Sequence, residues 1–203
     1  MICIFLYYPL SIMVNKGKGA GGANTNKNGK NFEDYTDNEP ILIDAGYEKI
    51  VLNPKNKNDY YLLKTFEDKK IIFTKQNAFK KYMKKLYNID MVRTPDEAYI
   101  IDYNNGKKIL KILEKKTQSV SGSVEDKILC GIAYKREYEL LLPNDFEIDY
   151  AFCLNTYLKN IIESDNIKYK VWNIILKENN IPLLFGDDED YFKTLNIWLN
   201  NSL

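Results

Sequence analysis

Two apolar segments, residues 97–103 and 107–116, are separated only by Asn104-Asn105-Gly106. An Asn-Gly pair between apolar runs is the strongest short-range signal for a β-hairpin. Alternate residues of a strand point to opposite faces of a sheet, and here both sets are apolar, with Ile100 on one face and Ile101 on the other. We therefore expect this hairpin to lie in the centre of a sheet and to be covered on both faces.

Other segments predict the elements that cover the hairpin. Alternating or continuous apolar runs predict strands, and a 3.6-residue apolar period predicts amphipathic helices. Strands are predicted at residues 41–52 and 60–74, within 146–158 and at 181–185; helices are predicted near Lys30, at 75–88, at 123–142 and from Asp187 through Trp198. This order of elements predicts an α/β fold in which a mixed central β-sheet is flanked by helices.

Residues 15–203 are predicted to form a single domain, preceded by an apolar N-terminal extension at residues 1–14. The extension is too short to cross a bilayer as a helix. It also lacks the basic start and the small-residue cleavage site of a signal peptide. It is either an added strand or an upstream segment with Met13 as the true start, and we expect no membrane association.

The chain of 203 residues contains no histidine. This excludes Ser-His-Asp and Cys-His triads, histidine-ligated zinc sites and nucleases built on a catalytic histidine. The three cysteines, Cys3, Cys130 and Cys153, are far apart and lie in apolar stretches, without metal-ligand spacing. They are typical of small core residues in a reducing compartment, so a cytoplasmic location is expected.

The formal net charge of +1 conceals two basic segments. Residues 53–88 carry ten Lys against three acids, and residues 107–136 carry eight basic residues against three acids. Such segments favour a polyanion such as nucleic acid, but an ordinary solvated Lys face is the alternative. The Gly17–Gly22 segment matches G-x-G-x-x-G, yet poor helix formers follow it, so we do not expect a dinucleotide site.

Charged residues cluster at one end of the predicted hairpin. If the turn contains three residues, the numbers of facing residues sum to 210 and Asp96 lies opposite Glu114, with β-carbons about 5 Å apart. If the turn contains two residues, the sum is 211 and Glu97 lies opposite Glu114. The sequence alone leaves both registers open. In either case Glu114 and Lys116 project from the same face of their strand.

Two carboxylates at that distance repel each other unless a divalent cation lies between them. Carboxylate oxygens together with waters suit Mg²⁺. Lys116, one step along the same face from Glu114, can then stabilise charge on an attacking water or on a phosphate. These residues therefore predict a metal-dependent site for phosphate chemistry.

Pro95-Asp96, followed eighteen residues later by Glu114-Lys115-Lys116, resembles the PD-(D/E)xK motif of the restriction-endonuclease-like nuclease superfamily. Other segments resemble type II restriction endonucleases of the kind found in microbes and large DNA viruses of algae. These segments are the Gly-rich opening before residue 30, Gly29–Glu33, Thr117-Gln118, Gly122–Lys127 and Leu184–Phe192. The resemblance covers about residues 15–200 and implies a restriction-endonuclease-like core.

The resemblance also implies roles for individual residues. Asp96 and Glu114 are expected to hold Mg²⁺, which Mn²⁺ can replace, and Lys116 to act on the attacking water. Glu33 is expected to approach the metal site from the first helix. Gln118 and Lys127 are expected to support the site, and Glu97 is the alternative to Asp96 as a metal ligand.

The implied activity is site-specific hydrolysis of double-stranded DNA that leaves 5′-phosphates. Enzymes of this kind and size act as homodimers on short palindromes, so a homodimer is expected, together with a cognate DNA methyltransferase for the same site. Two alternatives remain. One is a repair or structure-selective nuclease of the same fold, such as a junction resolvase. The other is a non-catalytic nucleic-acid-binding domain.

Overall fold

The structure, a computed structural model, describes residues 23–120 and 122–201. Its helices are α1 (Ala23–Tyr35), α2 (Glu39–Asp44), α3 (Gln76–Tyr87), α4 (Asp126–Leu129), α5 (Gly131–Leu141), α6 (Thr156–Ile162), α7 (Ile167–Glu178) and α8 (Tyr191–Asn200). Its strands are β1 (Glu48–Asn53), β2 (Asn56–Thr65), β3 (Lys69–Thr74), β4 (Glu97–Tyr103), β5 (Lys108–Lys116), β6 (Phe146–Leu154) and β7 (Leu183–Phe185). None of these helices is long and apolar enough to cross a membrane. The extension at residues 1–14 and the Gly17–Gly22 segment lie outside the described residues.

The seven strands form one mixed sheet in the order β1-β2-β3-β4-β5-β6-β7. Neighbouring strands are antiparallel from β1 to β5, whereas β6 runs parallel to β5 and β7 parallel to β6. A parallel neighbour needs a crossover connection, which α4 and α5 supply between β5 and β6. The predicted α/β class, with a mixed central sheet flanked by helices, is confirmed.

The central hairpin of β4 and β5 is buried on both faces, as its sequence predicts. On one face Ile100 and Leu110 belong to a large core that also contains buried residues of α3, α5, α6 and α7. On the other face Tyr99 and Leu113 pack in a second core with residues of α1, α2 and α8. Burial of both faces therefore explains the continuous apolar character of the two strands.

The strands β4 and β5 pair in the first of the two predicted registers. Ala98 faces Ile112 and Ile100 faces Leu110, so facing numbers sum to 210. The turn contains three residues and ends at Gly106, whose φ of +90° lies in a region that only glycine adopts readily. The alternative register, which requires a two-residue turn, is wrong.

A buried lysine ties the last helix to the centre of the sheet. The Lys111 side chain is fully buried, and its ammonium donates to Asp149 at 2.7 Å. The same ammonium donates to the carbonyl oxygens of Trp198 and Asn201, both at 2.9 Å. These are among the carbonyls that the end of a helix leaves without partners, so Lys111 acts as a cap for α8.

The structure corrects several of the predicted elements. Residues 60–74, predicted as a strand, belong to the two antiparallel strands β2 and β3. The last helix, predicted from Asp187, begins at Tyr191. Helix α1 begins at Ala23, seven residues before Lys30, because a helix extends readily once its last turns are held, here by buried Phe32. The single strand predicted at 41–52 is wrong in its first half, since Pro40 opens the short helix α2 there. The helix predicted at 123–142 consists of two helices that meet at Cys130. Cys130 is exposed there, which corrects its predicted place in the core, whereas Cys153 is buried as predicted.

A methyl group added at Gly131 tests how closely α5 packs on β6. A β-carbon there would lie 2.5 Å from Cε2 of Phe152, a ring that is fully buried and cannot move away easily. We expect Gly131→Ala to lower the free energy of unfolding by about 1 to 3 kcal/mol, measured by urea denaturation.

Gly29 is the matched control, because a β-carbon there meets nothing within 4 Å. It lies inside α1, so Gly29→Ala should raise stability by about 0.5 to 1 kcal/mol. Equal effects of the two substitutions would contradict the close contact between Gly131 and Phe152.

Candidate active site

The register of the central hairpin brings Asp96 to the end of β5. Asp96 immediately precedes β4, and its carboxylate accepts a hydrogen bond from the backbone N–H of Lys115 at 2.7 Å. The preceding residue, Pro95, is held as well, because its carbonyl accepts from the backbone N–H of Gln76 at 2.8 Å. Asp96 is thus fixed beside Glu114, the residue that it faces in this register.

Lys116 lies beside both carboxylates. Its ammonium is 2.9 Å from an Oε of Glu114 and 3.7 Å from an Oδ of Asp96. The three side chains are mostly buried, with exposed fractions of 20% for Asp96, 13% for Glu114 and 22% for Lys116. The three residues predicted to carry the chemistry therefore form one compact, partly open cluster, which we call the Asp-Glu-Lys cluster.

Burial and neighbouring charges shift the pKa values of this cluster. Burial raises the pKa of Glu114 to about 7; Asp96 adds to the rise, and Lys116 opposes it. Lys116 keeps its proton, because the two carboxylates outweigh its own burial and raise its pKa. One ammonium therefore faces two carboxylates in a region with little water to screen them.

Glu33 adds a third carboxylate at the rim of the cluster. Glu33 lies on α1, which is held in place by buried Phe32. The backbone carbonyl of Glu33 also accepts a hydrogen bond from the ammonium of Lys115 at 3.3 Å. Burial raises the pKa of Glu33, and the charge of Asp96 raises it further. Glu33 and Asp96 line the same cavity, and the approach of Glu33 to a metal ion stays a prediction.

Glu97 lies on the opposite face of the hairpin from the cluster. Its carboxylate is fully buried and pairs with the ammonium of Lys115 at 2.6 Å. It also accepts hydrogen bonds from the backbone N–H of Asn38 and from the hydroxyl of Tyr99. Every oxygen of Glu97 is thus engaged in the core, and this placement separates it from Asp96 and Glu114.

Gln118 and Lys127, the two predicted supporting residues, have different surroundings. Gln118 is buried and binds its own loop: its amide donates to the carbonyl of Val120 at 2.7 Å and accepts from the N–H of Glu125 at 3.1 Å. Lys127 is exposed and lines a cavity of about 550 Å³ together with Glu114 and Lys116. Gln118 therefore shapes the loop after β5, whereas Lys127 faces the same space as the cluster.

The basic helix predicted at residues 75–88 is present as α3, but its lysines are already occupied. Lys81 pairs with Asp59 and Lys84 with Asp90. Lys80 and Lys85 donate to backbone carbonyls of neighbouring segments. Binding of a phosphate by this helix would therefore compete with contacts inside the chain.

Two tyrosines beneath the cluster were not expected from the sequence. Tyr138 on α5 and Tyr150 on β6 are fully buried, and neither hydroxyl has a hydrogen-bond partner among the described residues. Burial raises the pKa of both phenols, and the nearby charge of Glu114 is the next cause. Tyrosines in apolar segments give no sequence signal of such a position, because their rings alone account for the pattern.

Within residues 23–120 and 122–201, no group of three or more Asp, Glu, Cys or His side chains is arranged as a metal site. The Asp-Glu-Lys cluster nevertheless has the donors that Mg²⁺ prefers, two carboxylates with room for water beside them. Burial disfavours the ionised form of Glu114 and raises its pKa, and a divalent cation beside it would favour that ionised form. Asp96 and Glu114 therefore fit a magnesium ion chemically.

The raised pKa of Glu114 predicts how the stability of the metal-free protein depends on pH. A carboxyl whose pKa rises from 4.5 to about 7 on folding favours the folded state below pH 4.5, and this contribution is lost as the pH rises through 7. Relative to Glu114→Gln, wild-type protein in EDTA should lose about 2 to 3 kcal/mol of unfolding free energy between pH 4.5 and 8. Parallel pH profiles from denaturant titrations would contradict the raised pKa.

Comparison of the chain with protein-family models, with curated proteins and with solved structures gave no match.

Proposed function

We propose that this protein is a type II site-specific endodeoxyribonuclease that hydrolyses phosphodiester bonds of duplex DNA with Mg²⁺ and leaves 5′-phosphates. In this proposal the mixed sheet and its helices form a restriction-endonuclease-like core. The observation that carries the proposal is the Asp-Glu-Lys cluster, in which Asp96, Glu114 and Lys116 meet at one end of the central hairpin.

The placement of the two lysines of this hairpin supports the proposal. Lys115 is buried against Glu97 and stabilises the fold, while Lys116 faces the cavity with Glu114. Lys115 reaches the cavities as part of this ion pair, whereas Lys116 stands beside Glu114 and Asp96, and Lys116 is the lysine that the PD-(D/E)xK resemblance assigns to chemistry. Glu97 and Lys115, the other two charged residues at this end of the hairpin, have a structural role because they form this buried ion pair.

Asp96 and Glu114 would hold Mg²⁺, and Mn²⁺ would replace it with the same oxygen ligands. The ion would supply Lewis-acid polarisation of the phosphate and a more acidic bound water. Lys116 keeps its positive charge beside both carboxylates, where it can orient the attacking water and stabilise negative charge on the phosphate. Glu33 lines a cavity together with Asp96 and would assist from there.

The cavity beside the cluster has the charge that a DNA strand requires. Four basic residues line it, and Glu114 is the one acid among its lining residues; the basic residues are Arg93, Lys115, Lys116 and Lys127. Arg93 is paired with Glu137 and Lys115 with Glu97, which leaves Lys116 and Lys127 as the cations placed to meet a phosphate. Lys127 has no ion pair among the described residues, so its ammonium is available for a phosphate. We assign this cavity to the sugar-phosphate backbone around the scissile bond.

Site-specific cutting of both strands fits a homodimer, because two-fold protein symmetry then matches the symmetry of a palindromic site. The proposal includes an intracellular location and a partner DNA methyltransferase that protects the same sequence. Two alternatives would use the same cavity without a partner methyltransferase. One is a repair or junction-resolving nuclease of the same fold, and the other is a non-catalytic DNA-binding domain.

Substitution of the cluster tests the proposal. Asp96→Asn, Glu114→Gln and Lys116→Ala should each reduce Mg²⁺-dependent cleavage of long duplex DNA by about 100-fold or more, because each removes a group needed for ion binding or charge stabilisation. DNA retention in gel-shift assays should remain. Glu147→Gln is the control, since Glu147 pairs with Lys107 at the other end of the sheet.

Cleavage at the wild-type rate by all three cluster variants would exclude this site as the catalytic one. The form of the products separates the alternatives. Discrete fragments support a restriction enzyme, cutting confined to branched DNA supports a resolvase, and retention of DNA without any cutting supports a binding domain.

A further inference from the structure

A second cavity, of about 430 Å³, lies on the other side of the Asp-Glu-Lys cluster. Asp96, Glu33 and Lys115 line it, and Lys115 also lines the basic cavity, so the two spaces meet at the end of the central hairpin. The strands β2 and β3 and the start of α3 form its remaining walls. We call it the amide cavity, after the four amide side chains that line it, which are Asn56, Asn58, Gln76 and Asn77.

The charge of the amide cavity is unsuited to phosphate. Five acids and three lysines line it, a balance of −2; the acids are Glu33, Asp34, Asp37, Asp59 and Asp96. All three lysines are already paired, Lys75 with Asp37, Lys81 with Asp59 and Lys115 with Glu97. A ligand that donates hydrogen bonds is therefore favoured here over an anion.

Several polar groups of the amide cavity lack partners inside the chain. The side-chain amides of Asn58, Gln76 and Asn77 make no hydrogen bond with any described residue and are exposed to the cavity. Thr74 is 98% buried, and its hydroxyl likewise has no partner in the described part of the chain. A buried hydroxyl without a partner costs free energy, and a ligand that reached the Thr74 hydroxyl from the cavity would offset that cost.

We propose that the amide cavity receives the edge of a nucleobase next to the scissile phosphate, and that Asn58 and Asn77 determine its identity. This inference rests on the proposed nuclease function. Asn and Gln bind the donor-acceptor edge of adenine, and carboxylates accept from the amino group of cytosine. The amides and acids of this cavity therefore select a base with an exocyclic amino group, adenine or cytosine, while the basic cavity holds the backbone.

Sequence selection by binding tests this assignment without cleavage. Duplexes with a randomised centre are bound in EDTA by wild type, Asn58→Ala, Asn77→Ala and Thr74→Val, and the bound DNA is sequenced. We expect wild type to enrich adenine or cytosine at one position. Each Asn variant should reduce that enrichment by about 5-fold or more, with affinity for unselected duplex unchanged.

Asn77 is preferred to Gln76 for this test because the φ of +46° at Gln76 adds backbone strain to any substitution there. Thr74→Val should also lower the enrichment. It should not lower the stability of the free protein, since the lost hydroxyl has no partner there. Asn144→Ala, an exposed residue just before β6 at the far end of the sheet, should retain the wild-type preference.

The assignment would be overturned if Asn58→Ala and Asn77→Ala both enriched the same base as strongly as wild type does. Enrichment of guanine or thymine at the affected position would overturn it as well. An equal loss of affinity for all sequences would also overturn it, because it would indicate a backbone contact. In each of these cases Mg²⁺-dependent cutting by wild type would leave the nuclease function standing. A wild-type protein that neither binds nor cuts DNA would overturn both proposals.

Discussion

The pairing of β4 with β5 decides where every charged group at this end of the sheet lies. A slip of one residue would turn each side chain to the other face. In the observed register Glu97 and Lys115 form a buried pair at 2.6 Å, and Asp96, Glu114 and Lys116 face the cavities. The buried pair penalises a slip strongly, because either charge would be left alone in the core. The register that stabilises the fold is therefore the one that assembles the candidate active site.

The arrangement also separates two kinds of surface around the cluster. On one side four basic residues face a single acid, and on the other acids outnumber lysines among unpaired amides. A duplex presents its phosphates and its base edges on different surfaces, so a protein that reads sequence needs both chemistries close to the reacting bond. The contrast between the two cavities supports a role on DNA more than net charge does, since the whole chain has a formal charge of only +1.

The sequence predicts the central hairpin, its burial and the cluster because these depend on short-range patterns. Apolar alternation and an Asn-Gly turn act over a few residues, and they are sufficient to bring Asp96 to Glu114 once the register is chosen. The register itself depends on whether the turn has two or three residues, and the amino-acid sequence around Gly106 does not determine this number. Lys115 and Lys116 are alike in sequence, and only the fold shows that one is buried and the other faces the cavity. The amide cavity escapes prediction because β2, β3 and α3 meet there through tertiary packing.

The central claim is that this cluster cuts duplex DNA with a divalent cation. Digestion of long, unmethylated DNA by purified wild-type protein, in Mg²⁺ and in EDTA, addresses that claim most directly. The account predicts discrete fragments in Mg²⁺, with 5′-phosphate ends in one sequence context, and intact DNA in EDTA. Intact DNA in both, from folded protein tested on several substrates, or cutting that continues in EDTA, would contradict it.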